Sequence, residues 1–365
     1  MAISEERQNE ILQSANRYCA IIMPLIEAGA VGYATYVLVV LLCIYYLLNP
    51  SSDLQAADIH PRKATAIALV IVYFVLLFIM AVSFFRLIQV MWINPGLIPF
   101  GESTEKVAAS TKDFDCLDAF TCDYQGNPNW CERCCCYKPD RTHHASAIDR
   151  CVRRMDHFCP YAGGMISETT HKFFIQFLFY GSLYLCFVVV TLSVFSAEHV
   201  KYLHKLPATW IVALALAGFF FLFCFGMFVT SFYHIAINIT TVESLNKDVA
   251  TYNIALLRSP SDTATASPNA LCEIQRTPSR SYIVLQTNPG ERPWDLGTLA
   301  NIKSIMGDSW IDWFLPLKMS PCTVHRGDVG HYEWGSVVEK MMRENDAGSS
   351  GRISRRPRRS RATRS

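Results

Sequence analysis

The chain has 365 residues, of which 51% are hydrophobic, and its 33 basic and 31 acidic side chains nearly cancel. So apolar a composition excludes a disordered chain, and so balanced a charge excludes the strongly basic class that coats nucleic acid; no nucleic-acid partner is expected. Glu5, Glu6, Arg7 and Glu10 precede any apolar run, which is unlike a cleaved signal. Nearly uncharged segments then follow at 29–48 and 64–85, and again at 173–195 and 210–233. Each has roughly the 20 residues a helix needs to cross a hydrocarbon core. The expected organisation is an N-terminal segment with two spans (1–91), a polar loop (92–172), two further spans (173–233), a folded region (234–317) and a basic, largely disordered tail (318–365). The tail's last stretch, GSSGRISRRPRRSRATRS, suits contact with anionic lipid headgroups.

Four spans place both termini and the middle loop on one side of the bilayer. Arg150, Arg153, Arg154 and Lys172 crowd the start of the third span, whereas the short connectors carry Arg62, Lys63, Lys201 and Lys205. That bias favours a cytosolic loop. Cysteine usage agrees: the loop's core, 131–174, contains Cys131, Cys134, Cys135, Cys136, Cys151 and Cys159, and such thiols survive in a reducing compartment.

Within that core, Cys131-x-x-Cys134 supplies the opening half of a zinc site, and Cys151 with His143 or His144 can close it. Such a loop, poor in hydrophobic core, needs a metal to fold. The adjacent Cys135 and Cys136 suit surface cysteines that carry lipid themselves. Farther on, Asp156-His157-Phe158-Cys159 has the parts of an activated nucleophile. In an extended backbone residues i and i+2 share a face, so His157 and Cys159 meet, while Asp156 needs a turn to reach the imidazole.

Beyond the fourth span, 259–281 is rich in Ser, Thr and Pro and reads as a mobile linker. Order is expected to resume at Pro293 and Trp294. Leu299, Ile302, Ile305 and Met306 recur at helical spacing, and Trp310, Trp313 and Phe314 suit an interfacial anchor or a small core.

Taken together, these motifs resemble the DHHC protein S-acyltransferases (palmitoyltransferases), whose cysteine-rich domain runs C-x2-C-x3-K-P-x-R-x-H-H-C-x2-C-x2-C-V-x2-M-D-H-H-C-P-W. The chain matches it without a gap at Cys131, Cys134, Lys138, Pro139, Arg141, His143, His144, Cys151, Val152, Met155, Asp156, His157, Cys159 and Pro160. Asn94-Pro95-Gly96 resembles the family's DPG, Thr240-Thr241-x-Glu243 its TTxE, and Trp294-Asp295-x-Gly297 with Asn301 its PaCCT element. The DHFC variant resembles a divergent fungal subgroup.

The resemblance implies an α-helical polytopic membrane protein: four transmembrane helices, with a small zinc-bound cysteine-rich domain in the cytosolic loop between helices 2 and 3. It implies Cys159 as nucleophile, His157 as its base and Asp156 as the carboxylate orienting that base. The donor is then a long-chain acyl-CoA such as palmitoyl-CoA, the acceptors are membrane-associated proteins, and the location is an endomembrane or the plasma membrane. Lys138, Arg150, Arg153 and Arg154 either meet the CoA phosphates or mark the cytosolic face. Tyr184 falls where family members limit acyl length, about 16 Å down the third span from Phe173. Of the family's two zinc sets, the first maps onto Cys131, Cys134, His144 and Cys151. The second falls on Ala145, Ile148, Phe158 and Met165, which suggests one structural ion and an apolar cluster in place of the other. Tyr161, Gly164 and Thr170 also depart from the family's residues. A catalytically inactive scaffold that binds partners through its zinc lobe is the alternative.

Overall fold

The apolar runs become long helices: α1 (Glu5–Thr35), which continues as a wider π-helical stretch (Tyr36–Leu48), then, after the short α2 (Ser52–Ala56), α3 (Lys63–Ile93) and, beyond the loop, α4 (His171–Leu203) and α5 (Ala208–Ala236). The structure is a computed structural model and describes residues 5–56, 58–101, 114–258, 270–325 and 332–347. Among the described residues four helices, Glu10–Leu48, Lys63–Ile93, His171–Leu203 and Ala208–Ala236, are long and apolar enough to cross a membrane. Asn94-Pro95 ends α3, because the residue before a proline disfavours helical backbone. Leu38, Leu42, Tyr73, Tyr184, Leu192 and Trp210 are buried between the spans. Phe78, Phe85, Phe219 and Leu222 point outward and are exposed, an arrangement that lipid tails accept and water does not.

The chain divides into two units, one of Met1–Ala109, Trp130–Lys247 and Trp294–Glu333, the other of Ser110–Asn129, Asp248–Pro293 and Trp334–Ser365. The second unit contains β1 (Ala119–Thr121). In the first unit, three small antiparallel hairpins lie between α3 and α4. β2 (Trp130–Cys131) pairs with β3 (Cys136–Tyr137), β4 (His143–Ala145) with β5 (Arg150–Val152), and β6 (His157–Cys159) with β7 (Gly164–Ile166). Their registers set Cys131 opposite Cys136, His144 opposite Cys151 and Phe158 opposite Met165. Directly opposed residues share a face, so the hairpins aim the first ligand set to one place and the apolar replacements to another. Ala145, Val152 and Met165 form a buried cluster, with Ile148, Phe158, Leu97 and Met155 packed against it.

After α5 the one-turn α6 (Thr241–Ser244) opens with a capping box: Thr240 Oγ1 accepts from the Glu243 N–H at 3.2 Å, and the Thr240 N–H donates to Glu243 at 2.9 Å. β8 (Asn253–Leu257), β9 (Ala270–Thr277) and β10 (Arg280–Gln286) follow and complete, with β1, a four-stranded antiparallel sheet of order β1-β8-β10-β9. Over 270–281 this corrects the expectation of a mobile linker running from 259 to 281. Residues 270–277 alternate between exposed and half-buried along β9, a period-two pattern that the surrounding Ser, Thr and Pro conceal; 259–269 lie outside the described residues.

Downstream come α7 (Thr298–Met306), α8 (Trp310–Phe314) and α9 (Ser336–Ala347). In α9, Val338, Met341 and Met342 pack on Ile254, Leu256, Ile283 and Leu285 of the sheet, so ordered structure reaches into the stretch expected to be a disordered tail. Its last part, 348–365, lies outside the described residues. Ile302, Ile305 and Met306 of α7 pack on Ile175 and Ile235 together with Trp313, whereas Trp310 and Phe314 are exposed. The aromatic run thus serves as both core and outward anchor.

Candidate active site and metal centre

The first site is a cluster of ligands. Cys131 comes from β2, Cys134 from the turn after it, His144 from β4 and Cys151 from β5, and their donor atoms lie within 4.8 Å of one another. His144 Nδ1 is 3.6 Å from Cys131 Sγ and 3.4 Å from Cys134 Sγ. A tetrahedral ion with ligand bonds of 2.0–2.3 Å requires edges of roughly 3.5–3.8 Å, so the donor set fits zinc. Asp149 stands behind the histidine, 3.1 Å from Nε2, as the carboxylates that orient metal-bound imidazoles do. His143, which the spacing left as an alternative to His144, is on the opposite face of β4 and outside the cluster.

The second site is built on β6. Strand alternation places His157 and Cys159 on one face. Asp156 makes the turn the sequence left open, since its Oδ2 accepts from His157 Nδ1 at 2.6 Å. His157 Nε2 is buried with no hydrogen-bond partner among the described residues, on the strand face it shares with Cys159. The Asp156 carboxylate is buried and held from its other side by α6, through the Thr241 N–H at 2.8 Å and hydroxyl at 3.0 Å. TTxE thus acquires a physical meaning: Thr241 fixes Asp156, while Glu243 accepts from Arg141 Nε at 2.8 Å and Nη2 at 2.7 Å. Arg141 also donates to Asn238 and stacks on Trp294. Asn301 of α7 completes the frame, donating to Ala236 O at 2.9 Å and accepting from the Leu296 N–H at 2.8 Å.

Electrostatics follow from these contacts. Burial works to raise the Asp156 carboxyl, but His171, His157 and the Thr241 hydrogen bond hold it well below the usual carboxylate range. Burial would lower the His157 imidazole, yet hydrogen bonds to Asp156 and Cys159 and their charges push it up to about 9. The imidazole therefore keeps its proton through neutral pH and loses it as the pH rises through about 9.

His157→Ala is expected to slow acyl-enzyme formation by roughly 10²–10⁴-fold, the range for a positioned acid–base group. Wild type should lose rate above about pH 9, where the imidazolium disappears, whereas the variant should gain rate as alkali supplies thiolate. Rapid-quench labelling across pH checks this, and a variant as fast as wild type at neutral pH would leave His157 a structural residue only.

Below Cys159 an apolar cavity of about 350 Å³ runs between the spans. Phe174, Leu178 and Gly181 of α4, Met80 of α3, Val31 of α1 and Cys224 of α5 are among its lining, and Tyr184 lies deeper along α4. Tyr184 is tied to the neighbouring spans by a hydroxyl chain missed in the sequence: its OH lies 2.8 Å from that of Tyr73, which lies 2.6 Å from Thr35 Oγ1. Among the four basic residues expected near the CoA phosphates, Arg154 is wholly buried, donating to His171 Nδ1 at 3.0 Å. It is thereby withdrawn from that role, while Lys138, Arg150 and Arg153 are half-buried.

Residues 124–248, which carry both sites, match the family described as DHHC palmitoyltransferase. The chain is 32% identical to palmitoyltransferase pfa5 of Aspergillus fumigatus, over 88% of its own length and 89% of that relative's. It is 28% identical to palmitoyltransferase pfa5 of Emericella nidulans, over 90% and 86% respectively. Palmitoyltransferase ZDHHC3 of Rattus norvegicus is 29% identical over 63% of this chain and 71% of its own. With a relative this similar along nearly the whole of both chains, the chain belongs to the DHHC palmitoyltransferase family.

Proposed function

We propose that the chain is a protein S-palmitoyltransferase that works in two steps through Cys159. The observation that carries this is the placement of the Asp156–His157–Cys159 group at an apolar cavity between the spans. In the first step the Cys159 thiolate attacks the thioester carbonyl carbon of a long-chain acyl-CoA. The bond to the CoA sulfur breaks, and the His157 imidazolium supplies the proton that CoA leaves with. In the second step a cysteine of a membrane-associated protein gives its proton to His157 and attacks the acylated Cys159, whose sulfur departs. One thioester replaces another each time, so the exchange is nearly balanced in energy. The cavity shelters the acyl chain, since each exposed methylene costs about 0.8 kcal/mol. Zinc at Cys131, Cys134, His144 and Cys151 would hold two of the hairpins together. Lys138, Arg150 and Arg153 supply positive charge for the CoA phosphates. The reducing chemistry of the loop favours a cytosolic site, on an endomembrane or the plasma membrane.

Incubating purified protein with labelled palmitoyl-CoA tests this directly. Hydroxylamine-sensitive label on the protein, with release of CoA, is expected; its absence under conditions where a relative self-acylates would favour an inactive scaffold. Tyr184→Ala is expected to shift the preferred donor by two or more carbons toward longer chains, because a large ring that lines the cavity partway along α4 is gone. Competition between acyl-CoAs of graded length measures that shift, and an unaltered profile would remove Tyr184 from the role.

A further inference from the structure

Cys136 was expected at the surface, but it is buried, in one cluster with Cys131, Cys134 and Cys151. Its place follows from the hairpin. It stands directly opposite Cys131 in the β2–β3 register, and opposed residues present their side chains on the same face. The second hairpin repeats the arrangement with His144 opposite Cys151. Two cross-strand pairs and the Cys134 turn therefore place a fifth sulfur, that of Cys136, in the buried cluster beside the four-donor set. The Cys136 side chain is packed in the same buried cluster as Cys134 and Cys151. Of the four residues that fit zinc, the three cysteines are buried and His144 is only half-buried, with Asp149 against its far nitrogen.

We propose that Cys136 is a stand-by ligand of the metal centre, able to take the place of His144 and leave the ion held by Cys131, Cys134, Cys136 and Cys151. The exchange is balanced within the site: the Cys136 thiol gives up its proton as its sulfur binds the metal, and the released His144 Nδ1 can accept one. An incoming thiol already packed among the cysteine ligands also opens an associative route for the ion to leave, so Cys136 should speed metal exchange as well as back up His144. The proposal rests on the zinc assignment above.

The experiment uses full-length protein in detergent, with metal content per chain and the absorption of the cobalt-substituted form as readouts. His144→Ala should keep about one metal per chain, and its cobalt spectrum should gain sulfur-to-metal charge-transfer intensity as a fourth sulfur replaces nitrogen. His144→Ala combined with Cys136→Ser should lose the metal. Cys136→Ser alone should keep it but transfer zinc to a competing chelator several-fold more slowly than wild type. A folded His144→Ala without metal would overturn the proposal while leaving the zinc assignment intact. An unchanged transfer rate in Cys136→Ser, which does not depend on how His144→Ala folds, would overturn it equally. Wild type without any bound metal would bring down the zinc assignment and the proposal together.

Discussion

Replacing Cys159 by serine or alanine is expected to abolish both self-acylation and transfer to a protein substrate, a loss on the order of 10⁴-fold or more for a nucleophile. Other cysteines lack its surroundings. Cys116 and Cys186 are exposed, and Cys135 lies in a turn with its thiol donating to Glu132 O. Cys159 alone shares a strand face with His157, and Asp156 fixes that ring. Serine keeps the geometry but presents a hydroxyl that the imidazole cannot ionise to a useful degree, so it should fail nearly as completely as alanine. Cys135→Ser and Cys116→Ser should transfer at close to the wild-type rate. The measurement is label on enzyme and on substrate, before and after hydroxylamine. Full transfer by Cys159→Ala would show that another thiol carries the acyl group, and the two-step mechanism through Cys159 would fall.

The spans were legible because a bilayer imposes length and apolarity on a contiguous segment. The cysteine-rich core was legible for a related reason, since ligand spacing is local and the chemistry restricts the residue types. Contacts that depend on register were not. Thr241 reaches Asp156 across 85 positions, and nothing in a run of Thr-Thr-x-Glu says which carboxylate its amide will face. Tyr73 and Thr35 meet Tyr184 only because three spans converge at one depth. Cys136 was misplaced because spacing separates CxxC ligands from their neighbours but does not show that a hairpin with a four-residue turn folds the neighbour back onto them. For β9, composition averaged over a window hid the alternation of single residues. The apolar replacement of the second metal set was readable, by contrast, because all four substitutions went the same way, and the structure gathers them into one cluster.

One zinc per chain is expected, where family members of the usual pattern would hold two. The positions matching the second set are Ala145, Ile148, Phe158 and Met165, and Phe158 faces Met165 across the β6–β7 hairpin. Neither a thiolate nor an imidazole stands there, so no small rotation can rebuild a site. Packing these side chains contributes about 1.5–3 kcal/mol for each large one, whereas a structural zinc contributes about 10 kcal/mol or more. The lobe that holds Cys159 is therefore expected to open more readily than a doubly zinc-bound one, which hydrogen exchange over β6 and β7 would register. Phe158→His should not add an ion, because three further ligands are missing, and it should destabilise the cluster by placing a polar ring against Val152 and Met165. The first set behaves in the opposite way. Removing both Cys131 and Cys134 leaves at most His144, Cys151 and Cys136, too few for four-coordination, so the double alanine variant should lose its metal. Elemental analysis of purified protein decides the matter: two zinc ions per wild-type chain, or an undiminished content after loss of the Cys131–Cys134 pair, would refute the assignment.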